Sequence, residues 1–249
     1  MGDIRIGIGG WTYVPWRGSF YPDDLRQKDE LAYVGAHLTA TEINATYYST
    51  QKPQTFANWA KAVPDGFRFA VKASRFCTNR RILAEAGPSI EKFVGQGIVE
   101  LGDRLGPILW QFMPTKKFDA EDFGAFLSLL PGKVDGVPLS HAVEARHQSF
   151  DDPAFYALAR KAGVAVVVAD HAEYPRLKGA EEGAAPFTYA RLMQSQEDEP
   201  AGYAADDLAT WASWTKTRAE SGDCYIFFIS GAKVRNPAAA MALMERVAE

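Results

Sequence analysis

Eight short apolar runs recur along this chain, at Ile4–Gly10, Ala40–Tyr47, Phe67–Ser74, Pro107–Phe112, Ala142–Arg146, Val164–Asp170, Phe187–Met193 and Tyr225–Ser230. Each is too short for a buried helix and lacks full polar alternation, as parallel strands covered on both faces do. Helical patterns lie between them, over Asp29–Leu38, Pro53–Val63, Ser89–Leu105, Ala120–Leu130, Pro153–Ala162, Asp206–Ser221 and Pro237–Val247. Only the link between the sixth and seventh runs lacks one. Eight strand–helix alternations over 249 residues predict an α/β fold, a TIM (β/α)8 barrel occupying 1–249 as a single domain. An open doubly wound sheet is the alternative.

Punctuation supports the boundaries. Pro53 and Pro237 suit first helical positions, Asn236 suits an N-cap, and Gly163 and Gly222 follow helices just before strands. The loosest stretches are Gly179–Pro186 and Gln194–Gly202, both rich in Gly, Ala, Glu and Pro.

Charged residues stand where these runs end: Glu42, Lys72, Glu144 with Arg146, Asp170 and Arg191. Burying a charge costs several kcal/mol unless it is paired, so their recurrence needs a reason. Strand side chains alternate between faces, which groups Glu42 with Asn44 and Thr46, Lys72 with Ser74, Glu144 with Arg146, and Arg191 with Tyr189 and Met193. We expect Asp170, following Val166 and Val168, to share that inward face, with Gln111 adding a neutral polar group. Barrel enzymes place their chemistry at this C-terminal end. The competing explanation is a layer of mutually neutralising charges that fixes register.

Three carboxylates against three cations is a nearly neutral set, whereas a two-metal site needs carboxylates and imidazoles in excess. No cofactor is therefore expected. A divalent metal at Glu42, Glu144, His147, Asp170 and His171 is the alternative. Glu42, Lys72, Glu144 and Asp170 are the candidate catalytic groups, with Lys72 able to act as base or Schiff-base amine if burial lowers its pKa. Arg146 and Arg191 suit phosphate or carboxylate by their planar fork. Asn44, Gln111 and His147 complete the expected substrate contacts.

The last run leads into Ser230-Gly-Ala-Lys-Val-Arg-Asn-Pro, which places Lys233 and Arg235 before a helix, where barrels often bind phosphate. Trp11 follows Gly9-Gly10 at the end of the first run and is expected over the mouth, whereas Trp16 and Phe20 are expected in a satellite core. The loop Arg75-Phe-Cys-Thr-Asn-Arg-Arg is basic. Neither nucleotide-binding fingerprint occurs, because Gly7-Ile-Gly9 lacks a glycine at Thr12.

A net charge of -4 argues against broad binding to a phosphate backbone. Cys77 and Cys224 have neither metal-ligand spacing nor the density of a secreted scaffold. The chain opens directly on a strand pattern, and no apolar run reaches membrane-spanning length. A cytoplasmic setting without membrane association is expected.

Several blocks resemble the YecE-like family, a domain of unknown function (72) with a (β/α)8 barrel. They are Gly7-Ile-Gly-Gly-Trp-Thr-Tyr, Trp16-Arg-Gly-Ser-Phe-Tyr-Pro, Thr41-Glu-Ile-Asn-Ala-Thr-Tyr, Phe69-Ala-Val-Lys-Ala-Ser-Arg, Leu109-Trp-Gln-Phe, Glu144-Ala-Arg-His-Gln-Ser-Phe and Ala169-Asp. The resemblance implies the barrel and no particular reaction. Departures gather late: Arg191-Leu-Met193-Gln194 stands where the family has Arg-Leu-His-Gly, Ile229-Ser230-Gly231 where it has Asn-Asn-Asp, and Asn79 where it has a histidine.

These features predict an enzyme, in the hydrolase, lyase or isomerase classes, acting on a small polar anionic, phosphorylated or sugar-like ligand without a required metal. The alternatives are a nucleic-acid-handling barrel related to abasic-site endonucleases, with Trp11 and the Lys72–Arg81 segment on the strand, and a non-catalytic ligand-binding barrel.

Overall fold

The computed structural model describes residues 1–177, 180 and 187–249. All eight expected runs contain strands. They span Ile4–Gly9, Ala40–Ile43, Arg68–Lys72, Leu105–Gln111, His141–Glu144, a sixth strand in two pieces (Ala165–Val166 and Val168–Asp170), Phe187–Leu192 and Asp223–Phe228. Every pairing among them is parallel, and the first strand pairs with both the second and the eighth. The two pieces of the sixth strand pair with the fifth and the seventh respectively, and Val167 N–H donates to Val143 O (2.9 Å) between them. The sheet therefore closes into a TIM barrel.

The period-2 alternation produces two separate apolar layers. Ile6, Ile8, Ile43, Phe69, Val71, Ile108, Trp110, Val143, Leu192, Ile226 and Phe228 face outward and pack with the helices. Ala40, Ala70, Leu109, Ala142, Ala165, Val167, Tyr189 and Phe227 fill the inside. Two residues further along, the same inner face carries Glu42, Lys72, Gln111, Glu144 and Arg191. The charged ring is thus the next storey above an apolar floor.

Three boundaries differ from expectation. The second strand stops at Ile43, and Ala45–Tyr48 turns into a short helix, so Thr46 leaves the strand face and its hydroxyl donates to Lys72 O (2.7 Å). The long helix expected over Ser89–Leu105 splits into Gly87–Val94 and a 3-10 stretch Ile98–Arg104, because Gly97 sits at φ 103 with Pro53 close beside it. Asn236 is the first residue of the helix Asn236–Ala248 and does not cap it; its side chain accepts from Ser195 Oγ (2.7 Å) and donates to Ser230 O (3.2 Å). Gly179–Pro186, apart from Ala180, lies outside the described residues. Among the described residues no helix is long and apolar enough to cross a membrane.

Gly7 marks where the wall is tightest. It pairs with Ala40, and a Cβ added there would stand 1.9 Å from Ala40 O. Gly7→Ala should force the first two strands apart and cost about 2 kcal/mol or more, read as a lower urea midpoint. Gly132→Ala, which meets nothing within 4 Å, should stay within about 0.5 kcal/mol of the parent.

Candidate functional site

At the C-terminal end of the barrel, Arg191 is the centre of a buried ion network. Its Nε and Nη2 donate to Glu42 Oε2 (3.1 Å) and Oε1 (3.0 Å), and Nη1 donates to Glu144 Oε2 (2.5 Å). Tyr189 OH adds a bond to Glu42 Oε2 (2.7 Å), Gln111 Nε2 to Glu144 Oε2 (2.9 Å), and Arg146 Nε to Glu144 Oε1 (2.6 Å). Glu42 and Glu144 are both 0% exposed and Arg191 2%. Burial would raise the Glu144 pKa, but the Arg191 and Arg146 guanidiniums and the Gln111 amide hold it down at about 2.

Lys72 belongs to the same storey and stands outside this network. It is 9% exposed, and its Nζ makes no hydrogen bond or ion pair among the described residues. The amine sits instead over the Tyr47 ring, 4.4 Å from its centroid. Burial, and then the Arg191 guanidinium, push its pKa down to about 8. Its carboxylate neighbours are occupied by arginines, so the usual salt bridge does not form.

Asp170 corrects the sequence expectation. The alternation that turns Ala165 and Val167 into the barrel turns Val168 and Asp170 toward the helices. There Asp170 accepts from Gln194 Nε2 and from Tyr203 OH (3.1 Å). The inner ring consequently holds two carboxylates, Glu42 and Glu144, against three cations, Lys72, Arg146 and Arg191.

A cleft of about 580 Å³ opens above the ring, within the usual range for small-ligand sites. Trp11, Asn44, Lys72, Gln111, Arg146, Arg191 and Lys233 line it, together with Gly9, Gly10 and Tyr48. The structure thus gathers most of the expected contacts. Trp11 packs edge-on against Trp59, 5.2 Å between centroids, while Trp16 and Phe20 are buried in the outer core. Asn44 donates to Glu42 O (3.3 Å). Lys233 Nζ lies over the Tyr13 ring at 4.4 Å, and burial lowers its pKa.

Two expected substrate contacts, and one ligand of the alternative metal site, sit elsewhere. Arg235 donates to Glu197 O (2.9 Å). His147 caps the 3-10 turn Gln148–Phe150 by accepting from Ser149 N–H (3.1 Å) and lines a second depression on the far side of Arg146. His171 stacks on Tyr174, 3.8 Å between centroids. The five ligands considered for a metal therefore do not converge, and among the described residues no three His, Cys, Asp or Glu side chains do. The basic loop forms a short helix, Arg75–Thr78, with Arg75 and Phe76 exposed and Ser74 Oγ accepting from Phe76 N–H (3.4 Å).

Sequence reasoning missed Tyr174, whose ring lies 4.4 Å from the Arg146 guanidinium and whose hydroxyl accepts from Arg146 Nη1 (3.1 Å). It stands in a loop, where no periodicity marks it. The replaced family positions also acquire roles: Gln194 holds Asp170, and Asn79 Nδ2 donates to Tyr47 OH (3.0 Å), behind the ring that carries Lys72.

The family model for "protein of unknown function DUF72" matches residues 5–249. The chain belongs to the DUF72 family. This DUF72 chain is 27% identical to the UPF0759 protein YunF of Bacillus subtilis over 158 residues, 61% of the chain and 54% of YunF. It is 26% identical to the UPF0759 protein YecE of Escherichia coli K12 over 150 residues, 59% of the chain and 50% of YecE. The matches span about half the length of these curated relatives. A DUF72 protein structure from Thermotoga maritima superposes with TM-score 0.78 at 22% identity, covering 99% of this chain and all of the other. It shares the barrel.

The Glu144 environment sets a pH dependence. Its folded pKa lies below the ordinary carboxylate value, so the unfolded chain binds the proton more readily, and the stabilisation is lost as pH falls from about 4.5 toward 2. Glu144→Gln should lower the urea midpoint at pH 7 and should lose less further stability than the parent between pH 4.5 and 2. A parallel acid decline in both proteins would place the titration elsewhere.

Proposed function

We propose that this barrel is an enzyme for a small anionic substrate, with Lys72 as the group that moves the proton. One observation carries the reading: a buried amine faces the cleft without a carboxylate partner, beside two carboxylates already committed to arginines. The lining therefore has positive charge to spare, which an anion would neutralise on entering.

The roles of the ring members divide accordingly. With its pKa near 8, the Lys72 amine is partly unprotonated at neutral pH and suits a general base, or an amine nucleophile toward a carbonyl. Glu144, held at about 2, is a poor base, and its work is to position Arg191 and Arg146. Arg146 uses Nε and Nη1 within the protein, which leaves Nη2 for an anionic oxygen at the cleft wall. The Arg191 fork is taken up by Glu42 and Glu144, so it contributes charge rather than a grip. Proton abstraction beside a carboxylate or carbonyl, as in lyase or isomerase chemistry, suits this set better than hydrolysis, which would ask for a second free acid.

Small hydroxy- and keto-carboxylates and sugar phosphates, screened by calorimetry and for turnover, test the reading. A substrate should show kcat/KM rising with pH through an inflection near 8, and Lys72→Met should abolish turnover. The same variant should be more stable than the parent at pH 7. The lowered lysine pKa means the unfolded chain takes up the proton preferentially between pH 8 and 10.5, so the cost of the buried cation is full below 8 and vanishes as pH approaches 10.5. The gain should be about 1–2 kcal/mol at pH 7 after the lost ring contact is counted, and should shrink toward pH 10. A variant that binds and turns over anions like the parent would refute the assignment.

A further inference from the structure

Lys233 repeats the unusual setting of Lys72 in another part of the same cleft. Its Nζ has no hydrogen bond or ion pair among the described residues and lies 4.4 Å from the Tyr13 centroid and 5.5 Å from that of Trp16. The backbone fixes it there, because Trp16 Nε1 donates to Lys233 O (2.9 Å) and Trp16 is fully buried. The loop that delivers it is also held. Ser230 and Gly231 take left-handed φ values of 65° and 56°, and Ser195 and Asn236 brace the turn from behind. Ser230 is one of two non-glycine residues with positive φ among the described residues, a conformation that costs about 1 kcal/mol or more and needs support.

The two lysines occupy separate places. Lys72 rises from the third strand, and Lys233 follows the eighth, with the second and first strands between them in the barrel order. Neighbouring strands are spaced about 4.8 Å apart, so three spacings of wall separate the two backbone origins. Tyr47 and Tyr13 also sit in different aromatic groups, with Tyr48 and with Trp16 respectively. Both lysines nonetheless line one cleft of about 580 Å³. A single carboxylate or phosphate at Lys72 and Arg146 leaves Lys233 without an anion.

We infer that the cleft takes a substrate with two anionic groups, one at Lys72 and Arg146 and the other, a phosphate or second carboxylate, at Lys233 beside the Ser230–Gly231 turn. This rests on the anionic-substrate reading above and narrows it to compounds such as phosphorylated hydroxy- or keto-acids. Lys233 supplies affinity and orientation at the end away from the reacting atoms, where lysine serves phosphate as a point charge. Binding energy at such a remote end is also what allows the reacting end to be held in register.

Calorimetry at fixed ionic strength with three probes tests this: 3-phosphoglycerate carries both groups, glycerate only the carboxylate, and glycerol 3-phosphate only the phosphate. The parent should bind 3-phosphoglycerate at least tenfold more tightly than either of the others. Lys233→Met should bring 3-phosphoglycerate to within about twofold of glycerate and leave glycerate itself unchanged, with Lys233→Gln as the second variant should the first fail to fold. Equal affinity for all three probes, or an equal loss for all three in the variant, would overturn the second subsite while leaving the first reading intact. If no probe binds the parent and Lys72→Met changes nothing, both fall.

Discussion

Arg191 and its two carboxylates are the interaction on which the rest of the barrel end depends. Three guanidinium nitrogens are committed to Glu42 and Glu144, and the three residues come from the seventh, second and fifth strands, so one ion cluster ties together distant parts of the wall. Desolvating such charges costs several kcal/mol each, which only mutual pairing and extra hydrogen bonds recover. Tyr189, Gln111 and Arg146 supply those bonds. Removing a single member would leave an uncompensated buried charge, a loss of about 3–5 kcal/mol.

The same commitment sets the chemistry of the cleft. Carboxylates held by arginine offer few free lone pairs to an incoming group, so under the proposed function the acid-base work falls to the residue that the network leaves out. Lys72 is that residue: burial, and then the Arg191 guanidinium, lower its pKa by more than Glu42 and Glu144 raise it. Glu42, Glu144 and Arg191 build the frame; Lys72 and Arg146 line the cleft, where the proposed function places the ligand.

The barrel was legible because its signal is local and repeated: eight short apolar runs, with helices between most of them, constrain topology even where single boundaries slip. The boundaries slipped where the local backbone departs from the pattern, as at Gly97, which breaks an expected helix, and at Asn44, where the backbone turns helical after the second strand ends at Ile43. The inward set was legible for the same reason, with period 2 placing Glu42, Lys72, Glu144 and Arg191 together. Asp170 shows where that logic needs an anchor. Its parity against Val167 decides its face, and the six-residue valine and alanine run 164–169 before it carries no polar mark to say which side is inner. Losing Asp170 from the ring turned an almost balanced charge count into a positive one. Tyr174 and the aromatic seats of the lysines depend on loop paths that no sequence period describes.

Those aromatic seats explain how a cleft can hold cations ready without holding them fast. A lysine bridged to a buried carboxylate would have to break a strong, partly desolvated pair before meeting a ligand, and the abandoned carboxylate would repel the same anion. Over a tyrosine ring the attraction is about 0.5–2 kcal/mol, and the ring carries no charge to leave behind. Lys72 on Tyr47 and Lys233 on Tyr13 are therefore held in direction yet remain electrostatically unsatisfied, and Arg146 on Tyr174 keeps one side of its fork toward the cleft. An anion of the kind proposed would meet charges whose orientation is already fixed, so little side-chain entropy would remain to be lost on binding. The hydroxyls behind these rings reinforce the arrangement: Asn79 restrains Tyr47, and Arg146 itself restrains Tyr174.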